Sequence, residues 1–112
     1  MDQEKQNSES AWYQQGDVTI KPVNAIPPGA TAAPDARGRV LAEGEATGHK
    51  HVAEAEDVRL FLHDGALYMR APSGTTVVHD EHHVLDIPPG DYLIGTVREY
   101  DHFAEVARPV WD

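Results

Sequence analysis

The chain has 112 residues, enough for one domain with a modest core and too few for two. Nineteen acidic against nine basic side chains leave a formal charge of −10 with histidine neutral, which repels phosphate backbones and anionic headgroups and excludes sequence-independent binding to nucleic acid. No cysteine is present, so disulfides, thiolate nucleophiles and thiolate metal sites are excluded, and any metal must be held by nitrogen and oxygen ligands.

Residues 1–10, "MDQEKQNSES", carry no apolar side chain after Met1 and cannot offset their ordering entropy. They read as a disordered tail ahead of a single β domain over residues 11–112. The same stretch lacks the basic start and apolar run of a signal peptide, and nothing approaches the roughly 20 apolar residues that cross a bilayer. The expectation is a soluble cytoplasmic protein with no membrane partner.

In "WYQQGDVTIKPV" (12–23), Val18 and Ile20 alternate with Asp17, Thr19 and Lys21 in the period of two of a half-buried strand. "NAIPPGATAAPDARGR" (24–39) is too rich in Pro, Gly and Ala for a regular element, so 24–38 reads as a long loop or lid. From Arg39 onward, short strands alternate with turn signals at intervals of about ten residues, the spacing of a sandwich or barrel. The expected strands are "RVLAEGEA" (39–46), "HKHVA" (49–53), "DVRLFLH" (57–63), "ALYMRA" (66–71), "TTVVH" (75–79), "HVLDI" (83–87), "YLIGTVREY" (92–100) and "EVARPV" (105–110). Asp64 and Gly65 accept the positive φ of a type I′ hairpin turn, and "PSGT" (72–75) closes the next hairpin by similar chemistry. No window of about ten residues has a 3.6 period, so almost no helix is expected. The fold class is all-β: a small antiparallel barrel or sandwich. "AIPPGA" (25–30) and "DIPPGD" (86–91) share a string that reads as two turns rather than a repeat.

Five of the seven histidines fall in two groups. "GHKH" supplies His49 and His51, which share a face if the segment is a strand, so that two ring nitrogens can converge on one point. "HDEHH" supplies His79, His82 and His83 around Asp80 and Glu81. As strand, His83 shares a face with Leu85 and Ile87, and His82 with Val84 and Asp86. As a turn, His79 and His82 converge instead. Imidazole is the commonest metal ligand, so His49, His51, His79, Glu81, His82 and His83 are candidate ligands, with Arg98 and Tyr100 of "TVREYDHF" as candidates for a supporting shell. The unligated alternative is a solvated polar turn beside an ordinary strand. His63 and His102 stand alone and read as surface or strand positions. Trp12, Tyr13 and Trp111 read as caps on the open ends of a barrel.

On these residues the chain resembles the cupins. Gly44, His49, His51 and, after four intervening residues, Glu56 follow the order of the first cupin motif, with Gly65 somewhat later than that pattern asks. "PPGDYL" supplies Pro88, Pro89 and Gly90 of the second motif but has Leu93 where its histidine would stand. The resemblance, over residues 44–93, implies a barrel holding a divalent metal with His49, His51, Glu56 and a third histidine taken from "HDEHH". "YQQGDVTI" and "GEATGH" also look like small uncharacterised bacterial and phage proteins.

The leading expectation is thus a small β protein that binds a divalent transition metal, Fe(II), Mn(II), Ni(II) or Zn(II), with the ion available for Lewis-acid or water-activating chemistry. The sequence names no substrate and holds no nucleophile elbow or phosphate loop, so whether the protein is an enzyme is left open. The alternative is a non-catalytic binding or assembly module, an accessory or phage-type structural protein, docking through strand edges to a partner or to itself as a homo-oligomer. A third reading takes the clustered histidines as a sensor of pH between about 5 and 7.

Overall fold

The structure, a computed structural model, describes residues 12–44 and 48–96. The expected tail, the strand over 105–110 and the end of the strand over 92–100 lie outside the described residues, as do Arg98, Tyr100, His102 and Trp111.

The described residues are all β apart from one 3₁₀ turn, Asp35–Arg37, and no helix among them is long and apolar enough to cross a membrane. The strands are β1 (Tyr13–Gln15), β2 (Val18–Val23), β3 (Thr31–Ala32), β4 (Val40–Glu43), β5 (Lys50–Ala53), β6 (Arg59–His63), β7 (Ala66–Ala71), β8 (Thr75–Val78), β9 (Leu85–Ile87) and β10 (Gly90–Thr96). They form a six-stranded sheet, β1-β2-β10-β7-β6-β3, and a four-stranded sheet, β4-β5-β8-β9, antiparallel throughout. Of the two forms left open by the sequence, this is the sandwich; the sheets do not close into a barrel.

Alternation determines which side chains meet. Val18 and Ile20 in β2, Leu67, Met69 and Ala71 in β7, and Tyr92 and Ile94 in β10 are buried, while the adjacent Lys21 and Arg70 are exposed. Registers align Ile20 with Ile94 and Ile94 with Leu67, so one apolar row crosses the six-stranded sheet. Opposite it, Leu41, Ala53, Val77 and Ile87 of the smaller sheet complete a single core. Side chains that alternate along a pleat can bury one face only, which is why both sheets keep a wet side.

Asp64 and Gly65 turn β6 into β7 with φ of 52° and 81°, both positive as a type I′ turn requires. "PSGT" differs from expectation. It makes a tight turn, with the Gly74 amide donating to the Ala71 carbonyl at 3.0 Å, but β7 lies in the large sheet and β8 in the small one. It is a corner between sheets rather than a hairpin, because turn residues set the chain's reversal and not the partner it meets afterwards. The second Ile-Pro-Pro-Gly string is a matching corner, carrying the chain from β9 back to β10, and Tyr92 braces it by donating to the Pro88 carbonyl at 2.6 Å. The two corners rest on each other: a Cβ at Gly74 would stand 2.7 Å from the Ile87 carbonyl oxygen. The first Ile-Pro-Pro-Gly string is a turn before β3, and the loop over 24–38 holds β3 and the 3₁₀ turn.

Gly65 and Gly74 therefore separate two costs. Both have positive φ, but nothing lies within 4 Å of a Cβ at Gly65. Gly65→Ala should cost about 1 kcal/mol in urea unfolding, from backbone conformation alone. Gly74→Ala adds an overlap with backbone and should cost roughly 2–4 kcal/mol. Equal losses would show that the corner yields without strain.

Candidate functional site

One buried side chain organises the polar end of the sandwich. Gln15 ends β1 at an inward position and is 2% exposed. Its amide Nε2 donates to the Val77 carbonyl at 3.0 Å and to the His83 carbonyl at 2.7 Å. Carbonyls only accept, so both amide hydrogens are committed and the Gln15 oxygen has to be the acceptor at its third contact, His51 Nδ1, at 2.8 Å. His51 therefore carries its hydrogen on Nδ1 and a lone pair on Nε2.

His51 sits on β5 at a buried position, aligned with Ala42 of β4 just past a bulge at Leu41. Burial, reinforced by the neighbouring His79 and His82 and opposed by Asp17, lowers its pKa from 6.5 to about 4. The ring is thus neutral at neutral pH, in one defined tautomer.

The other histidines surround it. The His79 ring lies 4.1 Å from that of His51, tilted by 33°, and 4.6 Å from that of His82. The His82 ring is 6.1 Å from His51 and nearly parallel to it. His82 leans on the turn between β1 and β2, where a Cβ at Gly16 would come within 2.6 Å of its Nε2 and push the ring aside. His49 meets His79 edge-on at 5.6 Å and faces Asp80 at 3.7 Å and Glu81 at 3.5 Å. A cavity of about 180 Å³ opens among these groups, walled by His51, His79 and His82 together with Asp17, Glu43, Glu81 and Thr96.

The expected residues divide accordingly. His49 and His51 both touch His79, and Glu81 and His82 join them. The HDEHH segment is a bend rather than a strand, and this lets His79 and His82 converge. His83 takes part through its carbonyl while its side chain is exposed. Glu56 is exposed in the turn between β5 and β6 and is not part of the cavity wall. Gln15, Gly16, Asp17 and Glu43 were not singled out from the sequence. The only local mark of the first three is the Gly-Asp turn itself, and Glu43 has none.

Among the described residues no three His, Asp or Glu side chains are grouped as a ready-made cage for a metal ion. The rings of His51 and His82 lie parallel and that of His79 is tilted between them, so faces, rather than lone pairs, are turned to one another.

A family model described as "Domain of unknown function (DUF8820)" matches residues 14–96. The chain belongs to that family. The DUF8820 match runs from within β1 to the last residue of β10 and so takes in Gln15, both histidine groups and every wall of the cavity. No curated protein and no solved structure matches the chain.

The lowered pKa of His51 has a measurable consequence. Above pH 6.5 the ring is neutral folded or unfolded and contributes no pH dependence. Between 6.5 and about 4 the unfolded chain takes up a proton that the folded one refuses. Stability should therefore fall with pH across that window by about 1.4 kcal/mol per pH unit. Urea titrations at stepped pH measure the slope, and an unchanged acid limb in a His51→Gln variant would exclude His51 as its source.

Proposed function

We propose that this protein binds a divalent transition metal, with His51 Nε2 as the anchoring ligand, His79 and His82 as further nitrogen ligands, and a carboxylate from Asp17, Glu43 or Glu81 completing the set. The observation that carries this reading is the Gln15–His51 hydrogen bond. A ligating histidine commonly donates its second ring N–H to an oxygen acceptor, which fixes the tautomer and aims the free lone pair. Gln15 does this for a buried, neutral imidazole.

The spacings are compatible with such a role. Imidazoles that share an ion through bonds of about 2.1 Å have ring centres roughly 5 Å apart, and the three pairs here span 4.1 to 6.1 Å. Rotation of the His79 and His82 rings, with His51 held by Gln15, would turn their nitrogens toward the same ion. Nitrogen-rich donors with a carboxylate favour Zn(II), Ni(II), Fe(II) or Mn(II) over Mg(II) and Ca(II). The acidity of the chain, at a formal −10, raises the local concentration of cations. The reading is of a binding protein; a bound ion would supply Lewis-acid chemistry, and no reaction is assigned.

Elemental analysis of tag-free protein should find about one equivalent of transition metal per chain after incubation with Zn(II) or Ni(II) and desalting. His51→Ala should abolish uptake. Gln15→Leu keeps all the ligands but frees the His51 tautomer, and should weaken Zn(II) binding by about 10–100-fold. Full-strength binding in Gln15→Leu, or no uptake by the unmodified protein, would overturn the proposal.

A further inference from the structure

His79 differs from His51 in a way that bears on how an ion could enter. A neutral imidazole has one N–H and one lone pair. At His51 the hydrogen is on Nδ1, because Gln15 accepts it. At His79 the roles are reversed: the backbone N–H of Glu81 donates to Nδ1 at 3.0 Å, so Nδ1 is the acceptor and the ring hydrogen is on Nε2. Neighbouring rings 4.1 Å apart therefore hold opposite tautomers.

Coordination by His79 is incompatible with that contact through either nitrogen. An ion on Nδ1 takes the place of the Glu81 N–H. An ion on Nε2 requires the hydrogen to be on Nδ1, which would set it against the Glu81 N–H, two donors with no acceptor between them. Resting on the metal reading above, we infer that occupation of the site releases the Glu81 amide from His79 and rearranges residues 80–82, so that this exposed loop reports whether the ion is bound.

The extent of the movement is bounded on both sides. His79 directly follows β8, whose Val77 is paired with Leu85, and the His83 carbonyl is pinned by Gln15 at 2.7 Å. Only Asp80, Glu81 and His82 lie between these fixed points, and all three are exposed. The same shift frees the Glu81 carboxylate from its place 3.5 Å from His49 and makes it available to the ion. The contact accounts for the lack of a preformed cage among the described residues: the loop rests in a conformation held by a bond that coordination would have to break.

The test is a titration of the full chain, uniformly labelled with ¹⁵N, with Zn(II) alone, following backbone amides and imidazole nitrogens by NMR. Without metal, His51 should report as the Nδ1–H tautomer and His79 as the Nε2–H tautomer. At one equivalent the Glu81 amide should shift and exchange with solvent faster, while the Gln15 side-chain amide stays in place. Bound Zn(II) with an unmoved Glu81 amide overturns the inference and leaves the metal reading standing; affinity unchanged in His79→Ala overturns the inference and removes His79 from the ligand set, leaving the metal reading to rest on His51 and the other ligands. No uptake of Zn(II) overturns both. Two variants check the cost of the contact separately. Glu81→Ala and Glu81→Pro both lose the carboxylate, but only proline lacks the N–H. Glu81→Pro should bind Zn(II) about three- to tenfold more tightly than Glu81→Ala, the worth of one released hydrogen bond; equal affinities would overturn the claim that this contact opposes binding.

Discussion

The arrangement at the polar end of this sandwich depends on the Gln15 side chain having all its hydrogen-bonding groups committed. Three partners from β5, β8 and the segment entering β9 meet one amide from the edge of the opposite sheet. In an apolar interior, each of those carbonyls and the imidazole N–H would cost on the order of 1–3 kcal/mol if left unpaired. A single buried amide satisfies them together, and in doing so ties the sheets at the end where the hydrophobic core gives way to the histidines. The same bonds settle the proton position on His51. Mechanical coupling and chemical definition of the site come from one residue.

Much of the scaffold was legible in the sequence because strand alternation is a local signal. β7 coincides with its expected span, 66–71, and Asp64-Gly65 is the turn that its residues demand. What escaped was partner choice. "PSGT" announces a reversal, yet whether the chain then pairs back or crosses to the other sheet depends on β9 and β10, which follow later in the chain. The histidines divide in the same way. His49 and His51 could be placed on one face from their spacing alone, whereas the bend at HDEHH, which brings His79 to His82, needed the three-dimensional path. Gln15 carried almost no local signal, since a glutamine near a Gly-Asp turn is ordinarily a surface residue and its partners are remote.

The electrostatics of the site follow from where the charges stand. His51, the most buried of the rings, is kept neutral by desolvation and by its neighbours. Asp80 and Glu81 stay at the exposed rim, where carboxylates remain hydrated. The most buried ring thus lies inside, and these two carboxylates lie at the surface.

The remoteness of Gln15's partners also orders events in time. Its three contacts span 36, 62 and 68 residues of chain, all long-range. Contacts that close such loops form late, after local hairpins such as β6–β7. During synthesis the glutamine emerges well before His83, which must be made before the Gln15 amide finds its second carbonyl. Until then His51 has no fixed tautomer and His82 has no glycine wall to rest against. The Gln15–His51 arrangement is thus complete only when the fold is: truncated or half-folded chains would carry the histidines without the bond that fixes the His51 tautomer.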